Sequence, residues 1–486
     1  MVAENANMPD HNEQLWRYKT STYNPNYGYN NNANWNGSDA DSSILNSLDE
    51  LRKVSLEAYA NMPIGKAIIN NIVAHTILDG ITITVDTENH DLNDQLQDII
   101  KDWSESTECD ASNNSNLNEL IETQLRTQLL MGESYSMFVS SSTVDDNVVQ
   151  SKIRCLHPDH VKDPGKSNNK EIVGGIELNV YGEEKAIYLQ NGQKSIRKAI
   201  RDSDGNLLIS HVFRREFISQ HHGVPLLTTP YNQLLDLSTF IKSEVRAAVN
   251  ASSINLMFHS ENIQARTQSL SDAPSNAGRL PDQMPIINAD AGTMIPLVNG
   301  ETITQMKLER PTGIFSPFVK EIMTEICASI GFAYEYLFMT FADSNFASAR
   351  LSALTSQKEL ARYRKLIDDR LLKPALTILV KEIFSKGICR LPKNMTIKQV
   401  LSSINIVWAP FPLLDPSKEI DYLSKAIDSG MMTLEEACSK LTGKQYMDVL
   451  VQRSRELREM RELGISEPAK PSNPVGKPPG EDSTRS

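Results

Sequence analysis

Four stretches of the 486-residue chain hold residue types that could do chemistry. Gly165-Lys166-Ser167 matches the end of a phosphate-cradling loop, in which backbone N–H groups and a lysine hold a nucleotide. That motif needs a glycine at position 160, which is His160, and a helix where this chain has a polar loop. His157-Pro158-Asp159-His160 carries metal-ligand types, but proline and aspartate at a strand end read as a surface turn. His221-His222 are neighbours in sequence, and neighbouring side chains rarely converge on one ion. Asp368-Asp369 lies on a helix beside Arg364, Lys365 and Arg370, where ion pairs along an exposed face account for it. No Ser/His/Asp set is visible by local motif. The sequence therefore offers no catalytic, cofactor or metal residues.

Composition agrees with a non-catalytic reading. The chain carries a formal charge of −12, unlike a free-standing nucleic-acid binder, which needs clustered Lys and Arg to grip phosphates. The five cysteines (Cys109, Cys155, Cys327, Cys389, Cys438) show no CxxC spacing, so reduced thiols in a cytoplasmic setting are expected. No run of 18 apolar residues and no basic-then-apolar leader is present, so a soluble chain without membrane contact is expected.

The elements that must position any functional residue centre on 316–387. Ser316-Pro317-Phe318 opens a helix, and Phe318, Ile322, Ile326 and Ile330 repeat every four residues until Gly331. After Ala333–Leu337 comes an aperiodic run, Met339–Ser344. A second helix opens at Asn345, with Leu351, Leu354, Leu360, Tyr363, Ile367 and Leu371 as its buried face, until Pro374 bends or breaks it. Residues 341–373 hold seven Lys or Arg against four Asp or Glu, a local excess of +3. A solvated face with i,i+4 pairs and a basic band placed near phosphates both fit that count.

Gly331, Tyr334, Glu335 and Leu337, followed by Asn345, Phe346, Ala347, Ser348, Ala349 and Arg350, resemble the signature of lambda-type bacteriophage portal proteins. That signature reads Gly-x-x-Tyr-Glu-x-Leu, then Asn-Tyr-Ser-Ser-Ala-Arg. Ala347 replaces its first serine, and Thr340 stands where aspartate is usual. Weaker matches run through Asp79-Gly80, Trp103, Asp110 and Gly132-Glu133. His211-x-Phe213 and Gln220 to Pro225 also match, with Gly223 and Pro225 in place and His222 replacing an arginine. Near the end, Asp415-Pro416, Lys418 and Glu419 fit the same pattern.

In order, residues 1–43 hold ten asparagines and scattered aromatics, and read as a disordered arm. Helices are expected at 44–60, 64–78, 91–104 and 116–131. Strands are expected at 81–85, 134–140, 151–156, 171–180, 186–190 and 207–213. A long helix, 230–257, spans about 40 Å, and it and the helix from Ser316 suggest an antiparallel pair. Between them, 258–311 is poor in helix formers, with strands near 285–288, 293–298 and 302–308 and a turn at Asn299-Gly300. A strand at 403–408 and helices at 417–429, 433–441 and 444–463 follow. Residues 466–486 hold five prolines and two glycines and read as a flexible tail.

This is an α+β pattern, and the resemblance implies how it is used. It implies a portal subunit with a wing at 44–228, closed by 387–416. Stem helices would lie at 229–257 and 312–338, a small α/β clip at 258–311, and a helical crown at 417–465. Residues 339–386 would be a tunnel loop and a long kinked helix, with Met339, Phe341, Asp343, Asn345 and Arg350 as candidates to face DNA. The implied assembly is a homo-oligomeric ring, expected to be a dodecamer, at one vertex of the virion capsid. The implied partners are double-stranded DNA in the channel, the terminase large subunit, the major capsid protein or scaffold, and the head–tail connector. The residues alone leave open a metal-dependent DNA-processing enzyme or a non-portal connector ring.

Overall fold

The computed structural model describes residues 40–140, 149–164, 171–192, 194–252, 256–260, 301–305, 315–340, 346–412, 416–443 and 446–464. Residues 1–39 of the expected arm, the tail, Gly165–Ser167, the strands expected within 261–300, the turn at Asn299-Gly300, and Asp415 lie outside the described residues, whereas 40–43, expected within the disordered arm, start a helix in which Asp41 is buried against His221.

The chain is a mixed helix-and-sheet protein. Helices α1 (Ala40–Leu45), α2 (Leu48–Asn61) and α3 (Pro63–Ile77) come first, and Gly65 brings α3 onto α2. A Cβ there would stand 2.6 Å from the Ala58 carbonyl oxygen. Strand β1 (Ile81–Val85), helix α4 (His90–Glu105) and helix α5 (Leu117–Met131) follow. Helix α5 opens with a reciprocal cap, in which Asn116 accepts from Glu119 N and Glu119 accepts from Asn116 N. Ile68, Ile69, Ile72, Leu96, Ile100, Ile121 and Leu129 of these helices are buried in one large apolar core.

Two sheets follow. Strands β2 (Glu133–Ser140) and β3 (Ser151–Leu156) pair antiparallel. A meander then runs through β4 (Ile172–Val173), β5 (Ile176–Leu178), β6 (Glu184–Asn191) and β7 (Lys194–Ala199), and β8 (Ile209–Phe213) returns to pair with β2. The single strand expected at 171–180 is two, because Gly174 and Gly175 turn the chain at φ +57° and +89°. A Cβ on Gly175 would lie 2.6 Å from the Lys162 nitrogen. The meander shares a second, smaller apolar cluster with its neighbours, which includes Tyr135, Leu156, Ile176, Ile187 and Ile209.

Helix α6 (Tyr231–Ser252) ends earlier than its composition suggests, and Met257 belongs to strand β9 (Leu256–Ser260). That strand pairs antiparallel with β10 (Glu301–Gln305), which precedes helix α7 (Phe315–Ser329). Phe240 of α6 packs on Phe315 and Phe318 of α7. A short helix, α8 (Tyr334–Leu337), and a long one, α9 (Phe346–Ile367), come next.

Of the bend or break expected at Pro374, the break does not occur, and the regular helix is interrupted just before it instead. A five-residue π turn, Asp368–Leu372, carries it into α10 (Lys373–Ser385), with Pro374 in the first turn. Proline has no N–H to give the Arg370 carbonyl, and the Ser210 hydroxyl of β8 donates to that carbonyl instead. After α11 (Ile397–Ser402), strand β11 (Ile404–Trp408) pairs antiparallel with β1, so chain separated by more than 300 residues closes one sheet. Helices α12 (Pro416–Asp428), α13 (Leu434–Thr442) and α14 (Tyr446–Glu462) end the described chain. Among the described residues no helix is long and apolar enough to cross a membrane.

Gly132 ends α5 at φ +88° and lies against Gly223, and a Cβ on either would overlap the other's carbonyl. Gly192 also has positive φ, but open space surrounds it. Gly132→Ala is expected to lose about 3 kcal/mol or more in urea melts of the full chain. Gly192→Ala should lose only the backbone strain of about 1 kcal/mol.

Candidate functional site

The segment from Ile330 to Arg350 is built by two full stops in the backbone. Helix α7 closes with Gly331 in the left-handed region (φ +84°), Gly331 N–H donating to Ala328 O and Phe332 N–H to Cys327 O. This is the double hydrogen bond that satisfies the last carbonyls of a helix, with glycine where a Cβ is unwelcome. Eight residues on, the same pattern recurs. Met339 N–H donates to Tyr336 O, Thr340 N–H donates to Glu335 O, and Met339 itself is left-handed at φ +54°. A methionine there carries strain of about 1–2 kcal/mol. Its side chain is 63% exposed, so no packing in the chain accounts for the choice.

Between the stops, α8 is held firmly. Leu337 is fully buried, and its carbonyl accepts from Asn71 Nδ2 at 2.8 Å. Tyr336 lies buried against His75, Tyr334 packs on Phe338, and Ala333 N–H donates to Ser356 Oγ of α9. Glu335 faces the Cys327 thiol, which burial and then that carboxylate push up to about 12. Four of the motif residues (Gly331, Tyr334, Glu335, Leu337) thus build the launch point of the following loop. Phe341, Asp343 and Asn345 lie outside the described residues.

Helix α9 departs from its expected burial. Leu360, Tyr363, Ile367 and, in the π turn, Leu371 are buried, but Leu351 is 67% exposed and Leu354 is also exposed. Ser348 is exposed, and Ala349 and Arg350 are half-buried. At about 100° per residue, Arg350, Leu351, Leu354, Lys358, Arg362 and Lys365 fall within roughly 120° of arc. The basic excess is therefore partly gathered on one face and interleaved with leucine. Part of this charge is taken up in ion pairs. Arg214 and Arg362 both pair with the buried Glu359, and Lys373 pairs with Asp369.

The exposed-face reading of Arg364 and Asp368 is wrong. Arg364 is buried, donating from Nε to Thr76 O at 2.7 Å and from Nη1 to Ala409 O at 2.9 Å, with its guanidinium 4.1 Å from the Phe411 ring centre. Burial lowers it to about 10. Trp408 Nε1 donates to Asp368, whose carboxyl burial raises to about 6.

A second cluster, which sequence reasoning missed, lies where α1, α2, β2, β8 and the 220–225 turn meet. The Glu133 carboxylate is fully buried and accepts from Arg52 Nη2 at 2.6 Å and from Gly223 N–H at 3.1 Å. His211 Nε2 and His222 Nδ1 each lie 3.1 Å from the same carboxylate. Burial alone would raise Glu133, but the charges and hydrogen bonds of His222 and His211 hold it well below the usual range. His221 turns the other way, to Asp41 Oδ2 at 2.6 Å, so the two adjacent histidines serve different carboxylates. The signal was present in pieces, since Gly132-Glu133, His211-x-Phe213 and 220–225 are all segments of the family pattern. The fold brings them to one point. Gly223 is required by its contact with Gly132, and Pro225 opens the 3-10 turn Leu226–Thr228. His157 and His160 sit exposed on a 3-10 turn, as their spacing suggests. Pro416, Lys418 and Glu419 form the start of α12.

A sequence profile described as "Phage portal protein, lambda family" matches residues 28–364, and the chain belongs to that family. Portal protein B of Escherichia phage lambda is 21% identical over 363 residues, covering 68% of this chain and 67% of that protein. The portal protein of Escherichia phage N15 is 23% identical over 184 residues, and this match spans only 34% of its length. Among solved structures, a chain from the neck of a native gene transfer agent particle, computed with C12 symmetry, is 14% identical. That match covers 81% of this chain and 92% of the other, with a TM-score of 0.45.

Replacing Met339 by glycine relieves the left-handed strain and is expected to stabilise the full chain by about 1 kcal/mol. Urea denaturation measures it, and an unchanged or lowered midpoint would show that the methionine side chain carries its own packing.

Proposed function

We propose that the chain forms the portal ring at the unique capsid vertex, a channel for double-stranded DNA during packaging, retention and ejection. Terminase supplies the energy by ATP hydrolysis, the ring performs no reaction, and later the head–tail connector docks on it. The observation that supports this most directly is where apolar cover runs out. Val245 and Val249 of α6, Phe318 of α7, and Leu351 and Leu354 of α9 are exposed, although each continues a stripe whose other members are buried or half-buried. Long helices with an apolar face that one chain leaves open are suited to lateral packing in a closed ring. The major capsid protein or scaffold would surround its rim.

In this reading the body from α1 to β8 is the wing, closed by the β1–β11 pairing. Helices α6 and α7 are the stem, the β9–β10 ribbon belongs to the clip, and α12–α14 form the crown. Residues 339–345 are the tunnel loop, with Met339, Phe341, Asp343, Asn345 and Arg350 as the side chains nearest DNA. An acidic chain with a few basic residues at defined heights lets DNA slide, because dense phosphate contacts would hold it at each step.

Twelve copies of the 54.3 kDa chain give about 0.65 MDa, which native mass spectrometry would read directly. Leu351→Glu is expected to abolish that species while changing the unfolding free energy of the separated chain by no more than about 0.5 kcal/mol. A stable monomer of the unmodified chain at every salt and concentration, with no ring inside procapsids, contradicts the reading. Deleting Ala342–Ser344 is expected to leave rings and procapsids intact while impairing packaging or releasing packaged DNA. Normal packaging and retention after that deletion, or failure of rings to form, removes the loop from the channel role.

A further inference from the structure

Three buried histidines meet in the cluster around Glu133, and each has an oxygen opposite both ring nitrogens. His211 faces Glu184 through Nδ1 and Glu133 through Nε2, both at 3.1 Å. His221 faces Asp41 through Nδ1 at 2.6 Å and the Gly182 carbonyl through Nε2 at 3.0 Å. His222 faces Glu133 through Nδ1 and the Val173 carbonyl through Nε2, both at 3.1 Å. A neutral imidazole has one N–H and one lone pair. A neutral ring at any of these positions would set that lone pair against an oxygen lone pair, buried away from water.

Charge counting points the same way. The carboxylates bonded in the cluster are Glu133, Glu184, Asp41 and Asp159, and the one permanent cation bonded to them is Arg52. Asp159 is 42% exposed, but Glu133, Glu184 and Asp41 are three negative charges out of bulk water against the single positive charge of Arg52, so charged imidazoles are needed to offset the remainder. A buried group of charges persists only when it is paired in this way. Tyr135 and Phe213 stack on the two sides of His211, and the cavity beside His211 and Glu184 is also lined by Arg201, Arg215, Asp369, Arg370, Lys373 and Lys381.

We propose that His211, His221 and His222 are held together as imidazolium ions at neutral pH. They form a proton-dependent clamp that fastens α1 and the β4–β7 meander to the body. The rings reach the meander through Glu184 of β6 and the carbonyls of Val173 and Gly182, and reach α1 through Asp41. Outside this clamp the meander is held by the small apolar cluster it shares with β2, β3 and β8, which is separate from the main core, so its attachment can loosen while the main core stays folded. Burial would lower His211, yet the charge of Glu184 and the hydrogen bonds to Glu133 and Glu184 raise it to about 9. The Asp41 hydrogen bond raises His221 against burial. A raised folded-state value stabilises fully below the ordinary 6.5 and is lost as pH rises through about 9. The clamp therefore opens on the alkaline side.

The test uses the full chain with 15N-labelled histidine, nine residues in all, in magic-angle-spinning NMR, which accepts rings or single chains equally. At pH 8 three histidines should show both ring nitrogens protonated, and His211 should keep that state until near pH 9. Fewer than three doubly protonated rings at pH 8 overturns the proposal. Thermal melts give a second readout that needs no assignment. The first transition of the unmodified chain should fall by on the order of 10 °C between pH 6.5 and 9.5. His222→Arg should reduce that fall, whereas His222→Gln should lower the transition even at pH 6.5. Equal pH dependence in the arginine variant and the unmodified chain would show that position 222 does not act through its charge. Neither readout depends on ring formation, so either can fail without bearing on the portal reading.

Discussion

The guanidinium of Arg364 ties the molecule together. It sits on the long helix α9, donates to the end of α3 through Thr76 and to the segment after β11 through Ala409, and lies against Phe411 and Trp408. Early chain, late chain and central helix are thereby fixed to one another by a single buried cation. The β1–β11 pairing runs beside it, so the closing of that sheet and the seating of α9 are one event. Removing the charge would leave two carbonyls without a donor in a buried place, a cost well above that of an ordinary surface change.

From that anchor the arrangement of the central junction follows. The N-terminal part of α9 projects beyond the cover its own chain provides, while its C-terminal part is sunk in the core. The π turn lets the helix pass Pro374 without ending, and Ser210 takes the carbonyl that proline leaves open. One end of the long helix is therefore rigidly seated and the other is offered outward. The loop before it starts from α8, which Asn71 and Ser356 hold on two sides.

Much of this was legible in the sequence, because apolar periodicity reports helices whatever surrounds them. Ile326, Ile330, Leu360, Tyr363 and Ile367 are buried where their spacing puts them. Leu351 and Leu354 have the same spacing and are exposed, since periodicity shows that a face is apolar and not what covers it. Arg364 read as a surface charge because its acceptors lie far away in sequence, at Thr76 and Ala409. The Glu133 cluster was hidden for the same reason, its members being drawn from residues 41 to 222. Met339 gave no sign of its left-handed backbone, because the residue types that announce that conformation are glycine and asparagine.

The paired stops at Gly331 and Met339 also decide how the chain leaves α8. A chain leaving a frayed helix end starts in many directions, so its tip wanders over a wide cone. Here the last fixed peptide is pinned by two hydrogen bonds, and the tether begins at Thr340 with its heading already chosen. The turn at Met339 and Thr340 is thus a pivot set by the backbone alone. In a closed assembly every copy would present that pivot at the same height and angle, so a contact met by one subunit would be met in the same way by the next.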